Sequence, residues 1–284
     1  MTPLHPQVVA HGLATGAIYG LMATGMQLIL GSTGKVHLGV GQATVLAALA
    51  LSLSCQRSPL PIVPTMLGVF LAVTLMAHVS HPPGLWRKVL AEGSDRAFLL
   101  ITLGAALALE ALTLRIWPLP VTASWPAGAA PCVWGVCLVW PKAMAVVVSA
   151  SAALAVGAML RWSKRGKALR AWDMGTAELG LVGVDPHGLG RWATTLGLGV
   201  AAVAGVLVGS AQVVRAQDWL GWSIKALCLA VLGGGLGPLR TMTLGWALGI
   251  GEAWVSQWIG PQWHPALAPA LVPIALRLRS RKGG

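Results

Sequence analysis

Acidic side chains are scarce in this chain: eight Asp and Glu among 284 residues, mostly in the segments between apolar runs. Clustered carboxylates and Ser/His/Asp constellations of the kind that carry enzymatic chemistry have little to be built from. The four cysteines make no metal set, because Cys132 and Cys137 have no histidine or further cysteine nearby. No catalytic residue, metal or cofactor is expected. Charge of either sign is sparse at 10%, against 56% hydrophobic residues and a mean hydropathy of +0.73. So much apolar surface does not fit inside one water-soluble core, and a bilayer is the implied solvent. The net charge of +12 would suggest nucleic acid in a soluble protein. Here the basic residues are read by the side of the membrane they occupy, and no nucleic-acid partner is expected.

What the chain does have is long apolar runs, near residues 8–30, 36–54, 60–79, 97–116, 143–160, 192–214, 223–239, 241–259 and 264–276. Most approach the roughly 20 residues a helix needs to cross about 30 Å of hydrocarbon. The fold class is therefore all-α, a polytopic membrane helix bundle over residues 1–284 as one domain, with nine spans and eight as the fallback. The first run reads as a span rather than a secretory signal, since "MTPLHPQ" brings no basic flank. The last, "PALAPALVPIAL", is short and carries three prolines. Charge asymmetry favours counting it. With the N-terminus outside and nine crossings, the inside segments hold Lys35, Arg87, Lys88, Arg96, Arg161, Lys164, Arg165, Lys167, Arg170, Arg191, Arg240, Arg277, Arg279, Arg281 and Lys282. The outside segments hold Arg57, Arg115, Lys142, Arg215 and Lys225, which is the expected positive-inside bias.

That topology puts "RGKALRAWDMGTAELGLVGVD", residues 165–185, in the cytoplasm, within a loop of about 161–190. Leu169, Trp172, Thr176 and Leu179 recur at three- and four-residue steps and form a semi-apolar stripe, with Lys167, Arg170 and Asp173 off it. Gly175 and Gly180 interrupt the pattern at about 1 kcal/mol each against alanine, so two short helices with a bend are expected. The stripe serves equally as a docking knob for a soluble partner or as packing against its own bundle.

These residues resemble a family. Gly166, Ala168, Arg170, Ala171, Leu181, Gly183 and Val184 look like the cytoplasmic coupling loop of ABC transporter permeases for branched-chain amino acids, a G-x-A-x-R-A run followed by L-x-G-[IV]. "GLATGAIYGLMATGMQLILGSTG", "AGVLVG" at 204–209, "AVLGGGLG" at 230–237 and "GWALGIGE" at 245–252 resemble further stretches of the family in the same order. "KVHLGVGQAT" departs from it, with His37 where a small polar residue is usual and Val40 where His or Gln is usual. The resemblance implies a permease subunit in the bacterial plasma membrane. It implies pairing with a second permease, identical or not, docking on cytoplasmic ATP-binding subunits, and delivery of solute by a periplasmic or surface solute-binding protein. Arg170, Trp172, Gly175, Glu178, Leu179 and Gly183 are the residues it marks for the ATPase contact. A sister permease for urea, an amide or a sugar remains an alternative, as does a secondary transporter or channel. The latter normally shows intramembrane ionisable groups coupled to ion flow, and only Glu110 and Glu252 qualify. The chain carries no ATP site of its own: "GSTGKV" has Ile29 where a phosphate-binding loop needs its first glycine and Val36 where it needs Ser or Thr. Gly31 and Gly34 read instead as a tight turn between spans one and two.

Among polar residues inside the runs, His37, Gln42 and Glu252 are candidates for the solute path, with helix-to-helix contact as the competing reading for each. Glu110 is expected to pair with Arg115 or to lie near the headgroups. Gly12, Gly16 and Gly20 form a flat face on span one, suited to close helix packing. Trp117, Trp125, Trp140, Trp219, Trp222, Trp258 and Trp263 fall near outer boundaries, where amphipathic rings prefer to lie. Cys132 and Cys137 flank "VWGV" and suit a disulfide across a tight hairpin in an oxidising compartment, with two free thiols as the alternative. Cys55 and Cys228 read as small apolar fillers.

Overall fold

The computed structural model describes residues 6–57, 62–82, 94–122, 132–133, 136–137, 139–171, 183, 185–235, 237–260 and 270. Eight of the nine apolar runs appear as helices among them: α1 (Pro6–Thr33), α2 (Gly39–Arg57), α3 (Ile62–Ser80), α4 (Asp95–Ile116), α5 (Trp140–Trp162), α7 (Pro186–Ala211), α8 (Trp219–Gly233) and α9 (Pro238–Trp258). A short α6 (Lys164–Ala171) follows α5, and two-residue strands β1 (Cys132–Val133) and β2 (Val136–Cys137) make a small hairpin. The ninth run, 264–276, lies outside the described residues but for Ala270. Of the described helices, α1, α4, α5 and α7 are long and apolar enough to cross a membrane; α2 and α3 carry shorter apolar stretches.

Local chemistry sets the boundaries. The α7 helix begins six residues before its apolar run, because Asp185 accepts hydrogen bonds from the His187 and Gly188 amides while Pro186 occupies the first helical position. Ser163 separates α5 from α6 and caps the latter by accepting from the Gly166 amide at 2.9 Å. The turn expected at Gly31 and Gly34 needs correction: α1 runs through Gly31 to Thr33, and Gly34 alone takes the left-handed conformation, φ 67°, that ends it.

Two inner helices organise the bundle. In α1 and α7, 83% of the apolar window is buried, against 22% in α4 and 28% in α5. The flat face on α1 is used as expected. A Cβ at Gly12 would lie 2.7 Å from Ile250 Cα, one at Gly16 2.8 Å from Trp246 Cα, and one at Gly20 2.8 Å from Met242 Sδ. Residue numbers rise along α1 as they fall along α9, so the pair is antiparallel. Gly245 and Gly249 make the reciprocal approaches to α1. Helices α2 and α7 run parallel, with Gly205 against Thr44 and Gly209 against Ala48. Thr44 Oγ1 also donates to the Ala201 carbonyl at 3.2 Å. With no water to drive helices together inside lipid, such close backbone contact is what dispersion forces need. The outer face is apolar: Leu67, Leu71, Leu75 and Val79 make an exposed stripe along α3, and Leu100, Leu107 and Leu112 are exposed on α4. Such an outward apolar surface suits hydrocarbon.

Charge separates to the two ends. Lys35, Arg96, Arg161, Lys164, Arg165, Lys167, Arg170, Arg191 and Arg240 lie toward one end, with the α1–α2 connection, the α3 terminus, the α4 start and α6. That end is tied across helices by Arg191 Nη2 donating to the His78 carbonyl at 3.0 Å and by Arg165 over the Trp192 ring at 5.4 Å. Lys35 Nζ adds a contact 3.9 Å from Asp95. Toward the other end lie Arg115, Lys142 and Arg215, with Lys142 donating to His11 at 3.0 Å and a Val121–Val214 bridge joining the exits of α4 and α7.

Several sequence expectations change. Lys225 belongs to no outside loop: it is buried within α8. Trp219 and Trp222 are buried rather than placed in an interfacial belt, while Trp140 and Trp258 are exposed. Trp125 and Trp263 lie outside the described residues. Glu110 accepts a hydrogen bond from Trp219 Nε1 at 2.8 Å instead of pairing with Arg115.

Candidate solute cavity and coupling element

At the basic end, α6 carries the first part of the coupling segment. Leu169, the first member of the expected stripe, is buried against the bundle, so this residue serves internal packing. Gly166 explains how α6 reaches so near: a Cβ there would lie 2.5 Å from Leu160 Cα on α5. Arg170 is exposed, its Nη2 3.4 Å from the Arg161 carbonyl. Gly183 is exposed with φ 77°, a left-handed position that suits glycine. Trp172, Gly175, Glu178 and Leu179 lie outside the described residues.

The structure brings His37 and Gln42 to one cavity of about 230 Å³ between α2, α3, α4 and α7. Gln42 stands in the first turn of α2, and its amide nitrogen and oxygen have no hydrogen-bond partner among the described residues. The Gly39 amide donates to His37 Nδ1 at 3.1 Å, so neutral His37 carries its proton on Nε2. The His37 ring lies 5.7 Å from that of His81 and edge-on to Phe98 at 5.9 Å. His81 Nδ1 bonds to the Ala77 carbonyl. Burial holds His81 below its ordinary pKa; the Ala77 bond opposes this, and the Arg191 and His78 charges add to it. Thr102 of α4 also lines the cavity, its hydroxyl donating to the Leu99 carbonyl. His81 and Thr102 were not singled out from sequence, having no neighbouring motif to mark them.

Glu252 does not reach this cavity. It is 1% exposed and lies 2.7 Å from Lys225 Nζ, which also donates to the Tyr19 hydroxyl at 3.1 Å and sits 4.4 Å from the Tyr19 ring centre. The triad joins α1, α8 and α9. A charged side chain is costly in hydrocarbon unless paired, and this arrangement meets that requirement. The sequence signal that could have found it is one lysine and one glutamate inside neighbouring apolar helices. In the hairpin, Cys132 stands opposite Cys137 in the backbone register.

A bundle of apolar helices with an apolar outer face, charge separated to its ends and a polar-tipped internal cavity describes a multi-pass membrane protein. Residues 8–276 match the family described as the branched-chain amino acid transport system permease component, and the chain belongs to that family. Over 290 residues it is 24% identical to the high-affinity branched-chain amino acid transport system permease protein BraD of Pseudomonas aeruginosa, covering 96% of this chain and 93% of the relative. The LivH permease proteins of the corresponding systems in Escherichia coli and Salmonella typhimurium are 31% and 30% identical over 138 residues, 48% of this chain and 44% of each relative. No solved structure matches. Membership makes the chain a transport permease component of the bacterial inner membrane.

Proposed function

We propose that the chain is the membrane-spanning subunit of an ABC importer for branched-chain amino acids, working with separate cytoplasmic ATP-binding subunits, a second permease subunit and a solute-binding protein outside. The family match across residues 8–276 supports this. The single structural observation that carries it is α6, held rigidly on α5 at the basic end by Gly166 and Leu169. A short helix so fixed transmits a push from a soluble partner to the spans as rigid-body motion and needs no catalytic group. In this reading the basic end faces the cytoplasm by the positive-inside rule, the N-terminus is outside, and a ninth span at 264–276 returns the tail inside. The contact surface is Arg170, Trp172, Gly175, Glu178, Leu179 and Gly183. Cys132 and Cys137 form a disulfide outside, and His37 and Gln42 line the solute path, whereas Glu252 holds helices together.

The test is co-purification of the ATP-binding subunit with Trp172→Asp and Leu179→Asp variants. Loss of the partner with membrane insertion intact is expected. Retention of the ATPase by both variants overturns the docking assignment.

A further inference from the structure

We propose that the cavity between α2, α3, α4 and α7 is an anionic phospholipid site of the cytoplasmic leaflet, with one acyl chain entering between α3 and α4 and the phosphate held by Lys35 and Arg191. This goes beyond the importer reading and shares with it only the side on which the basic end lies. The opening faces the bilayer: Met76 of α3 and Ile101 of α4 line the cavity and are 46% and 54% exposed, within the apolar outer surface of those helices. On α4 the lining runs from Phe98 to Leu109 and is hydrocarbon but for Thr102, a rise of about 16 Å at about 1.5 Å per residue. That is about half of the roughly 30 Å of hydrocarbon in a bilayer, the share of one leaflet. A slot of that length with its mouth among acyl chains suits an acyl chain.

The cavity turns polar toward the basic end. Three rings close it there, His37 lying 5.9 Å from Phe98 and 5.7 Å from His81. A cation stands at each end of this row. Lys35 Nζ is 5.7 Å from the centre of the Phe98 ring, and its contact with Asp95 is a long one, 3.9 Å, to a carboxylate 86% exposed, a solvated pair of little strength. Arg191 Nη2 donates to the His78 carbonyl, its Nε has no partner among the described residues, and its charge adds to burial in lowering the His81 pKa. Basic pockets between spans on the cytoplasmic side are where anionic headgroups bind. Gln42 stands about one turn further in, on the side of the phosphate where a phospholipid carries its ester carbonyls. Its amide is 1% exposed with neither nitrogen nor oxygen partnered among the described residues, a costly burial that one N–H donated to an ester carbonyl relieves in part. The second N–H and the oxygen stay available to the solute path, whose wall the lipid completes.

The experiment places the complete complex in nanodiscs with a phospholipid whose acyl chain carries a photoreactive diazirine, as phosphatidylglycerol or as phosphatidylcholine, and maps the labelled residues by mass spectrometry. Thr102 and Ala106 line the cavity and are 8% and 2% exposed, so their labelling reports a chain inside it; Leu100 and Leu107, 64% and 50% exposed, report the surrounding bilayer. Phosphatidylglycerol should label Thr102 and Ala106 at least about fivefold more than phosphatidylcholine does, and Leu100 and Leu107 equally. Lys35→Gln should reduce that preference about fivefold, the worth of one basic side chain at an anionic surface, and Lys35→Arg should keep it. Gln42→Leu should lower labelling of the cavity pair by both lipids about fivefold, since both carry ester carbonyls. Ala105→Phe, at the exposed mouth, should block the cavity pair and spare Leu100 and Leu107. Equal labelling of the cavity pair by the two lipids, a preference that survives Lys35→Gln, or cavity labelling unchanged in Gln42→Leu and Ala105→Phe overturns the assignment. If Lys35→Gln or Gln42→Leu fails to assemble, the wild-type preference and Ala105→Phe decide. Labelling requires no transport, so either result leaves the importer reading to stand or fall on the co-purification test above.

Discussion

Exchanging Glu252 for leucine removes the counter-charge of Lys225, 2.7 Å away, where α1, α8 and α9 meet. Breaking one side of a buried pair costs about 3–5 kcal/mol in proteins generally. Tyr19 offsets part of this, because its hydroxyl and ring both hold the ammonium, and a desolvated cation–π contact contributes about 2 kcal/mol. Glu252→Leu is therefore expected near the lower figure. Lys225→Met leaves Glu252 beside the Tyr19 hydroxyl but without its counter-charge, and is expected within the same range. Lys225→Met combined with Glu252→Leu replaces the pair with hydrocarbon and should return to within about 1 kcal/mol of wild type. At about 2 °C per kcal/mol for a chain of this size, the single variants melt about 6–10 °C lower and the double variant almost unchanged. Thermal unfolding in lipid nanodiscs, followed by intrinsic tryptophan fluorescence, reads these shifts. A double variant that loses the sum of the two single losses refutes the claim that the pair acts as one unit.

Four further outcomes follow from the packing and the charges. Gly16→Leu should force α1 from α9 and abolish stable expression, whereas Gly104→Ala, where an added Cβ meets nothing within 4 Å, should be neutral or stabilise by about 0.5–1 kcal/mol in a melting assay. Trp219→Phe removes the indole donor from Glu110 and should cost about 1–3 kcal/mol, most of it recovered on adding Glu110→Leu, as a double-mutant cycle of melting temperatures will show. Mass-resolved alkylation of the denatured protein without reductant should leave Cys132 and Cys137 unmodified and label Cys55 and Cys228; labelling of all four defeats the disulfide assignment. His81 has a lowered folded pKa, so the unfolded chain takes up its proton first: the contribution of His81 to stability is intact above about pH 6.5 and declines as pH falls below that value, a slope that His81→Gln should reduce in a melting-temperature titration.

The helices were legible because their apolar runs are long and bounded by glycine, proline and charge. The errors concern direction rather than existence. A tryptophan at the edge of an apolar run reads the same whether it faces headgroups or the core, and only the packing of α8 shows that Trp219 and Trp222 turn inward. The α7 boundary was recoverable from Asp185-Pro186, a capping signal that hydropathy does not weigh. The glycine face on α1 announced a close neighbour but not which helix, since "GWALGIGE" offers its glycines with the same spacing as other stretches.

Polar residues inside apolar runs show the same division. His37 and Gln42 stood out because they open a span, and the fold brings both to one cavity. Glu252 stands out as a carboxylate in the interior of a span and has a different use. Its partner Lys225 reads from sequence as a loop residue, as a lone lysine at the margin of an apolar run gives no sign of a carboxylate on the next helix. Polarity within a membrane chain thus identifies residues that must be satisfied, while the tertiary contacts decide how. Glu252 meets Lys225 and Tyr19 within the chain, whereas Gln42 has no partner among the described residues. That contrast separates a residue that fastens helices from one whose polar atoms the described residues leave unmatched.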